Sequence, residues 1–398
     1  MRSDGGTSKY LTAGLHFLFF LSGIAAVFIG QILPILGRHF ALDDLRLGYF
    51  FPAQFAGSLT GTLLTGWFSR RKRLADAAWI GAGLMAAGIL GMNAGSYELV
   101  LIAFVVNGLG IGLTLPSINL LVLEINPERT ASALAVLNFC WGVGAIVCKP
   151  FVDLTAGDTT IGVTTAIVSA AMLASGVLIL VFRDRRSVSS PAEMETPETP
   201  AVTPIWTTPK AGTIALFNFI HVGFESGIGG WLTTYAVRVD PSGHVGIFTP
   251  TFLFFLFFVI GRGSAPIFFR FLDENAMLLA SLLTILVGMV IAMTAANAAV
   301  LGVGSAIAGL GTSSVFPTNV ARFYRIYGAE AMRRAMPLFL FGTLGGAAVT
   351  YSIGFLSNYF ESLRAGMFLL LFNIAILIVI QIALTAKTAK PQTDPGSV

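Results

Sequence analysis

Long apolar stretches alternate along this chain with short polar connections, twelve times over. They cover residues 10–36, 48–68, 75–94, 97–123, 133–151, 163–182, 211–237, 247–269, 276–295, 300–324, 336–359 and 365–386. A helix of about 20 mostly apolar residues crosses the hydrocarbon core of a bilayer. Lipid offers no partner for backbone polar groups, so such stretches are predicted to be helices that bond their own backbones. One connection is long. Residues 183–210 are rich in Pro, Ser, Thr and Glu and cannot bury a core. The pattern predicts an all-α membrane protein of 12 transmembrane helices: a six-helix bundle over 1–186, a flexible linker over 187–210, and a second six-helix bundle over 211–398.

The two halves repeat each other. GLGIGLTLP at 108–116 and GLGTSSVFP at 309–317 share two glycines and the proline at an offset of 201. The same offset pairs Gly144 with Gly345, and an offset of 200 pairs Gly61 with Gly261 and Arg70 with Arg270. Paired halves around a site at the bilayer midplane are the usual build of secondary transporters.

Charge sets the orientation. With the N-terminus inside, 19 of the 24 Lys and Arg residues fall at cytoplasmic ends and five, Arg38, Arg46, Lys149, Arg238 and Arg364, at external ends. This asymmetry predicts cytoplasmic termini and a cytoplasmic linker, and the membrane is expected to be the cell inner membrane. Composition agrees with that setting. The chain is 55% hydrophobic and 11% charged, with mean hydropathy +0.81; soluble domains carry about 25% charged residues. The net charge of +4 is accounted for by cations at helix ends, so it does not point to nucleic acid. Cys140 and Cys148 lie two turns apart on one predicted helix, too far for a disulfide, and read as packing residues. The first apolar run is too long for a cleavable signal peptide. No Ser/His/Asp set, metal-ligand spacing or phosphate loop points to an enzyme, a metal or a cofactor.

Candidate chemistry gathers on the seventh stretch. Asn218, His221 and Glu225 are spaced three and four apart and share one helix face. A carboxylate at bilayer depth is costly and faces a polar cavity or a partner. Glu225 is therefore the candidate ion-coupling residue, binding a proton or sodium ion, with His221 one turn away. The alternatives are direct contact with substrate and a structural tie. Gly227, Gly229 and Gly230 follow, and are expected to loosen the helix beside Trp231. Trp231 and Trp141 offer aromatic faces to a ring-bearing solute. Asn138 and Lys149 join Trp141 at helical spacing. Gln31, Gln54, Asn119 and Asn319 are uncharged polar groups in apolar runs, and either tie helices together or line a cavity. No arginine is expected at the midplane, which disfavours a strongly anionic substrate. At the cytoplasmic face, Arg70 and Arg71 lie in the basic loop GWFSRRKR, and Glu124 corresponds to Arg325 at the 201 offset. Glu124 is expected to pair with Arg325, or with Arg70 or Arg71, when that side closes.

Two six-helix halves, a long central linker and the Gly-x-x-x-x-Arg-x-Arg loop after the second stretch resemble the major facilitator superfamily over nearly the whole chain. Arg70 stands where that pattern usually has Asp, and Arg73 where it has Gly. GFESGIGGWLTTYA and GLGTSSVFPT resemble the seventh- and tenth-helix motifs of the branch holding the fucose–proton symporter and sodium-dependent glucose transporters. The acids that serve the fucose symporter on its first and fourth helices have no counterpart here; Gly30 and Gln31 occupy the first place. The resemblance implies a monomeric sugar transporter working by alternating access. The expected substrate-binding residues are Gln31, Asn119, Asn138, Trp141, Asn218, Glu225, Trp231 and Asn319. Export of drug-like or amphipathic compounds, and a non-transporting sensor, are the other readings.

Overall fold

A computed structural model of the chain describes residues 4–126, 128–183, 205–241 and 246–388. Most of the expected linker, 187–204, lies outside the described residues. Thirteen α-helices follow one another: α1 (Asp4–Phe40), α2 (Asp44–Gly48), α3 (Phe50–Arg70), α4 (Leu74–Gly91), α5 (Tyr97–Ile125), α6 (Thr130–Thr155), α7 (Gly162–Phe182), α8 (Pro209–Val239), α9 (Pro250–Phe268), α10 (Glu274–Thr294), α11 (Ala298–Arg334), α12 (Met336–Tyr359) and α13 (Leu363–Thr388). All but the short α2 correspond to the twelve apolar stretches, and no strand occurs among the described residues. Among the described residues, ten helices are long and apolar enough to cross a membrane by length and composition; α3 and α8 fall short. Those two carry much of the polar surface described below.

Side-chain caps define several starts. The Asp273 carboxylate accepts from the Ala276 amide at 2.7 Å, and the Asn297 side chain from that of Val300 at 2.9 Å. Each satisfies one of the free N–H groups of a first turn. α11 runs past its expected end at 324 and reaches Arg334 through a break at Gly328, whose φ of 57° lies in the left-handed region that suits glycine.

The same packing scheme appears twice. α3 and α4 pack on α5 as α9 and α10 pack on α11; α1 packs on α6 and α7 as α8 packs on α12 and α13. The repeated glycines sit at the matching crossings. A side chain at Gly108 would meet the Gln54 carbonyl on α3, and one at Gly309 would meet the Phe254 carbonyl on α9. Gly144 and Gly345 lie likewise against the carbonyls of Phe20 and Phe219. Small residues bring helix backbones together in a setting where lipid supplies no hydrophobic drive.

The glycines of α8 act in the same way. The expectation of a loosened segment is corrected: α8 is continuous from Pro209 to Val239. Gly229 and Gly230 lie where α1 crosses at Gly30, and the Phe51 ring covers Gly230. Close approach, rather than unwinding, accounts for the run.

Candidate functional site

A cavity of about 200 Å³ lies between the halves. α3 supplies Phe51, Gln54, Phe55 and Ser58, one stripe at helical spacing, and α8 supplies Glu225, Ser226, Gly229 and Gly230. α1, Ile111 of α5, Trp141 of α6 and Phe255 of α9 complete the wall. The lining is mostly apolar and aromatic, with a few polar groups from opposite halves, as ligand pockets generally are.

Glu225 thus faces a cavity enclosed by both halves. His221 is fully buried behind it, with Nε2 3.6 Å from a Glu225 carboxylate oxygen. That is ion-pair range but beyond a hydrogen bond, and neither ring nitrogen has a hydrogen-bond partner among the described residues. Arg262, which by sequence counts among the cations at helix ends, lies inside α9. Its guanidinium sits 4.2 Å over the Phe258 ring, and its Nε donates to the Ser313 carbonyl at 3.4 Å. A second cation, Arg322 of α11, is 4% exposed. It donates to Gln381 at 2.7 Å and to Asn319 at 2.5 Å. Both arginines lie in the later part of their helices, and neither guanidinium lines the cavity.

Of the eight expected substrate-binding residues, Trp141 and Glu225 line this cavity and the others are placed elsewhere. The indole of Trp231 is fully buried, donates to the Thr350 carbonyl at 2.9 Å and packs on Phe51 at 5.8 Å. The Asn218 amide donates to the Leu338 carbonyl at 2.9 Å, joining α8 to α12. Asn319 receives Arg322 and donates to the Ile214 carbonyl. Asn119 and Asn138 each donate to the carbonyl four residues back in their own helix, at 2.9 and 2.8 Å; Asn138 is exposed. Gln31 is buried and accepts the Thr233 hydroxyl at 2.7 Å across the halves.

The halves are clasped at one end. Asp44, on α2, takes two bonds from the Arg238 guanidinium, at 2.7 and 2.5 Å, and a third from the Ser357 hydroxyl. Nearby, Gly48 and Gly354 let α2 and α12 touch, and Tyr49 lies 5.2 Å from Tyr351. At the opposite end, where α7 ends and α8 begins, α5 and α11 share no extensive packing among the described residues. Glu124 has no ion pair there among the described residues, and Arg325 approaches Glu274 of its own half at 2.8 Å, as an ion pair without hydrogen-bond alignment. Arg70 is exposed, and Arg71 stacks 3.9 Å over Trp67. Glu124 thus forms no ion pair with Arg70, Arg71 or Arg325 among the described residues. The basic loop is held instead by Asp76, which binds Arg73 at 2.6 Å, the Trp79 indole at 3.1 Å, and Arg183. Sequence reasoning passes over Asp44, Asp76 and Arg262 because each sits close to a stretch boundary, where charge is expected.

Two matched bundles around a central cavity, clasped at one end, define a membrane transporter. The Major Facilitator Superfamily profile matches residues 15–350, and the chain belongs to that superfamily; it is a transporter and not an enzyme. No curated protein sequence matches it. Solved structures share its fold at low identity. A bacterial homologue of the human lysosomal transporter Spinster, inward-facing and unoccupied, aligns with a TM-score of 0.79 at 15% identity, covering 99% of this chain and 100% of its own. The nucleoside transporter NupG aligns with a TM-score of 0.73 at 14% identity, covering 96% and 99%. The peptide transporter POT, in complex with sulfate, aligns with a TM-score of 0.73 at 14% identity, covering 95% and 94%.

Proposed function

We propose that this transporter moves a sugar or sugar-like polar solute by alternating access, coupled to a proton or a sodium ion through Glu225. The observation that carries this reading is the company Glu225 keeps. One small cavity presents a single acid, an amide, two serine hydroxyls and an indole among three phenylalanine rings. Aromatic faces suit the apolar faces of a sugar ring, and the polar groups suit its hydroxyls. The volume lies below the about 300–1,000 Å³ of pockets for drug-sized ligands, which favours a compact solute. NupG, one of the proteins that share the fold, carries nucleosides, which contain a sugar.

The clasp at Asp44 and the separation of α5 from α11 support a state open at the linker end. With the charge asymmetry of the sequence, that end is cytoplasmic, the membrane is the inner membrane, and the state faces inward. In the opposite state α5 and α11 approach, and Glu124 exchanges into a pair with Arg325, with Arg70 and Arg71 beside it. His221 assists Glu225 in coupling. Among the remaining sequence candidates, Asn218 and Trp231 tie α8 to α12 and so support the wall on which Glu225 stands. A single chain supplies both halves of the site, which supports a monomer. Export of amphipathic compounds is the second reading, favoured by Phe51, Phe55 and Phe255 in the lining.

The test is uptake by proteoliposomes of a panel of hexoses, pentoses and hexitols, driven in turn by a pH gradient and a sodium gradient. Accumulation under one gradient supports coupled uptake. Equilibration without accumulation under either gradient indicates facilitated diffusion. Movement of no member of the panel, with efflux of an amphipathic dye, refutes the sugar reading, and movement of nothing points to a sensor.

A further inference from the structure

Besides Glu225, the cavity holds a polar group whose bonding is incomplete. The Gln54 carboxamide oxygen is buried and has no hydrogen-bond partner among the described residues. Other buried polar atoms share that condition, including both nitrogens of His221 and the Asn218 carboxamide oxygen, but none of them belongs to a residue lining the cavity. Buried acceptors are almost always bonded, so an empty one on a cavity wall marks a place for a donor.

Gln54 is also held firmly. It lies between Phe51 and Phe55 on the α3 stripe, with Ser58 one turn on. Its own backbone carbonyl is where Gly108 brings α5 closest, so the helix carrying it is fixed against its neighbour. The Asn119 and Asn138 side chains each donate to a carbonyl of their own helix, whereas the Gln54 oxygen accepts from no group among the described residues. Glu225 and Ser226 face the same space from the other half.

We infer that Gln54 is a substrate-binding residue that selects hydroxyl-bearing solutes, the bound solute spanning the halves by donating one hydrogen bond to Gln54 and another to Glu225. This rests on the transport reading above and names its substrate class. Two acceptors contributed from opposite halves call for a ligand with at least two donors, as a polyhydroxylated solute has. The Glu225 carboxylate disfavours a carboxylate or phosphate beside it. The solute itself then joins α3 to α8, which gives binding a direct means of favouring one arrangement of the halves.

The experiment uses the full chain in proteoliposomes and measures exchange of aldohexoses, pentoses and hexitols, followed by the monodeoxy derivatives of whichever is exchanged. Gln54→Met keeps the length of the side chain and removes the acceptor. It should raise KM for the parent solute about tenfold, the worth of one neutral hydrogen bond. One monodeoxy derivative should show the same loss with the wild type and no further loss with the variant, since both changes delete one interaction. Equal discrimination against every derivative by both proteins, or an unchanged KM in Gln54→Met, overturns the inference while leaving the transport reading intact. Exchange of no solute by the wild type overturns both. Should Gln54→Met fail to insert, Gln54→Asn withdraws the oxygen and should raise KM in the same derivative-dependent way; an unchanged KM there overturns the inference equally.

Discussion

Replacing Asp44 by Asn should loosen the clasp that closes one end of the molecule. The Asp44 carboxylate accepts two bonds from Arg238 and one from Ser357, and the residue is 8% exposed. Charge-assisted hydrogen bonds contribute about 1.5–3 kcal/mol each when one partner is deleted. The Arg238 side chain is 45% exposed, so solvent screens the pair and the lower part of the range applies. Asn keeps one acceptor for the guanidinium, leaving a net loss of about 1.5 kcal/mol, close to a tenfold change in the ratio of closed to open states at that end. With Cys140 and Cys148 replaced, a single cysteine at Ser58 reports access to the cavity. A membrane-impermeant maleimide added from the Asp44 side should label it about tenfold faster in Asp44→Asn. Arg238→Gln should give a similar rise, and the double variant little more, because the two substitutions break one interaction. Unchanged labelling in both single variants, with the proteins correctly inserted, refutes the assignment of the clasp. Fully additive rises refute the pairing.

Three further outcomes follow from the packing. A Cβ at Gly30 would meet the backbone of Gly229 and Gly230, which cannot move aside as a side chain can; Gly30→Val should insert normally but lose exchange, and normal exchange would show that the crossing is not needed. Trp231→Phe removes the bond to the Thr350 carbonyl and should cost about 1–3 kcal/mol, read as a lower Tm with KM unchanged; a raised KM at constant Tm would place the indole against substrate instead. Exchanging charges by combining Glu124→Arg with Arg325→Glu should transport better than either single change, and a double variant no better than the singles rules that pair out.

Much of the architecture is legible in the chain because the bilayer imposes strong rules. Apolar length locates the helices, and recurring glycines mark the repeat, since the same crossing in each half forbids a side chain. Glu225 is legible for the same reason: a carboxylate that deep has few tolerable surroundings. The companions of Glu225 are not. Asn119 and Asn138 look like cavity groups by spacing, yet an amide in a helix can satisfy itself on the carbonyl one turn back, and both do. Asp44 and Arg238 are 194 positions apart, and no local pattern connects them. Arg262 reads as a helix-end residue because a cation there is ordinary; only the packing of α9 on α11 draws it inward to Ser313. The glycines of α8 mislead, since sequence cannot tell a glycine that unwinds a helix from one that lets another backbone approach.

The most direct test of the account is transport by Glu225→Gln, which keeps the side chain's size and removes its charge. In proteoliposomes containing the solute that the wild type accumulates, exchange should persist while gradient-driven accumulation disappears. Accumulation at the wild-type level in that variant would contradict the assignment of coupling to Glu225.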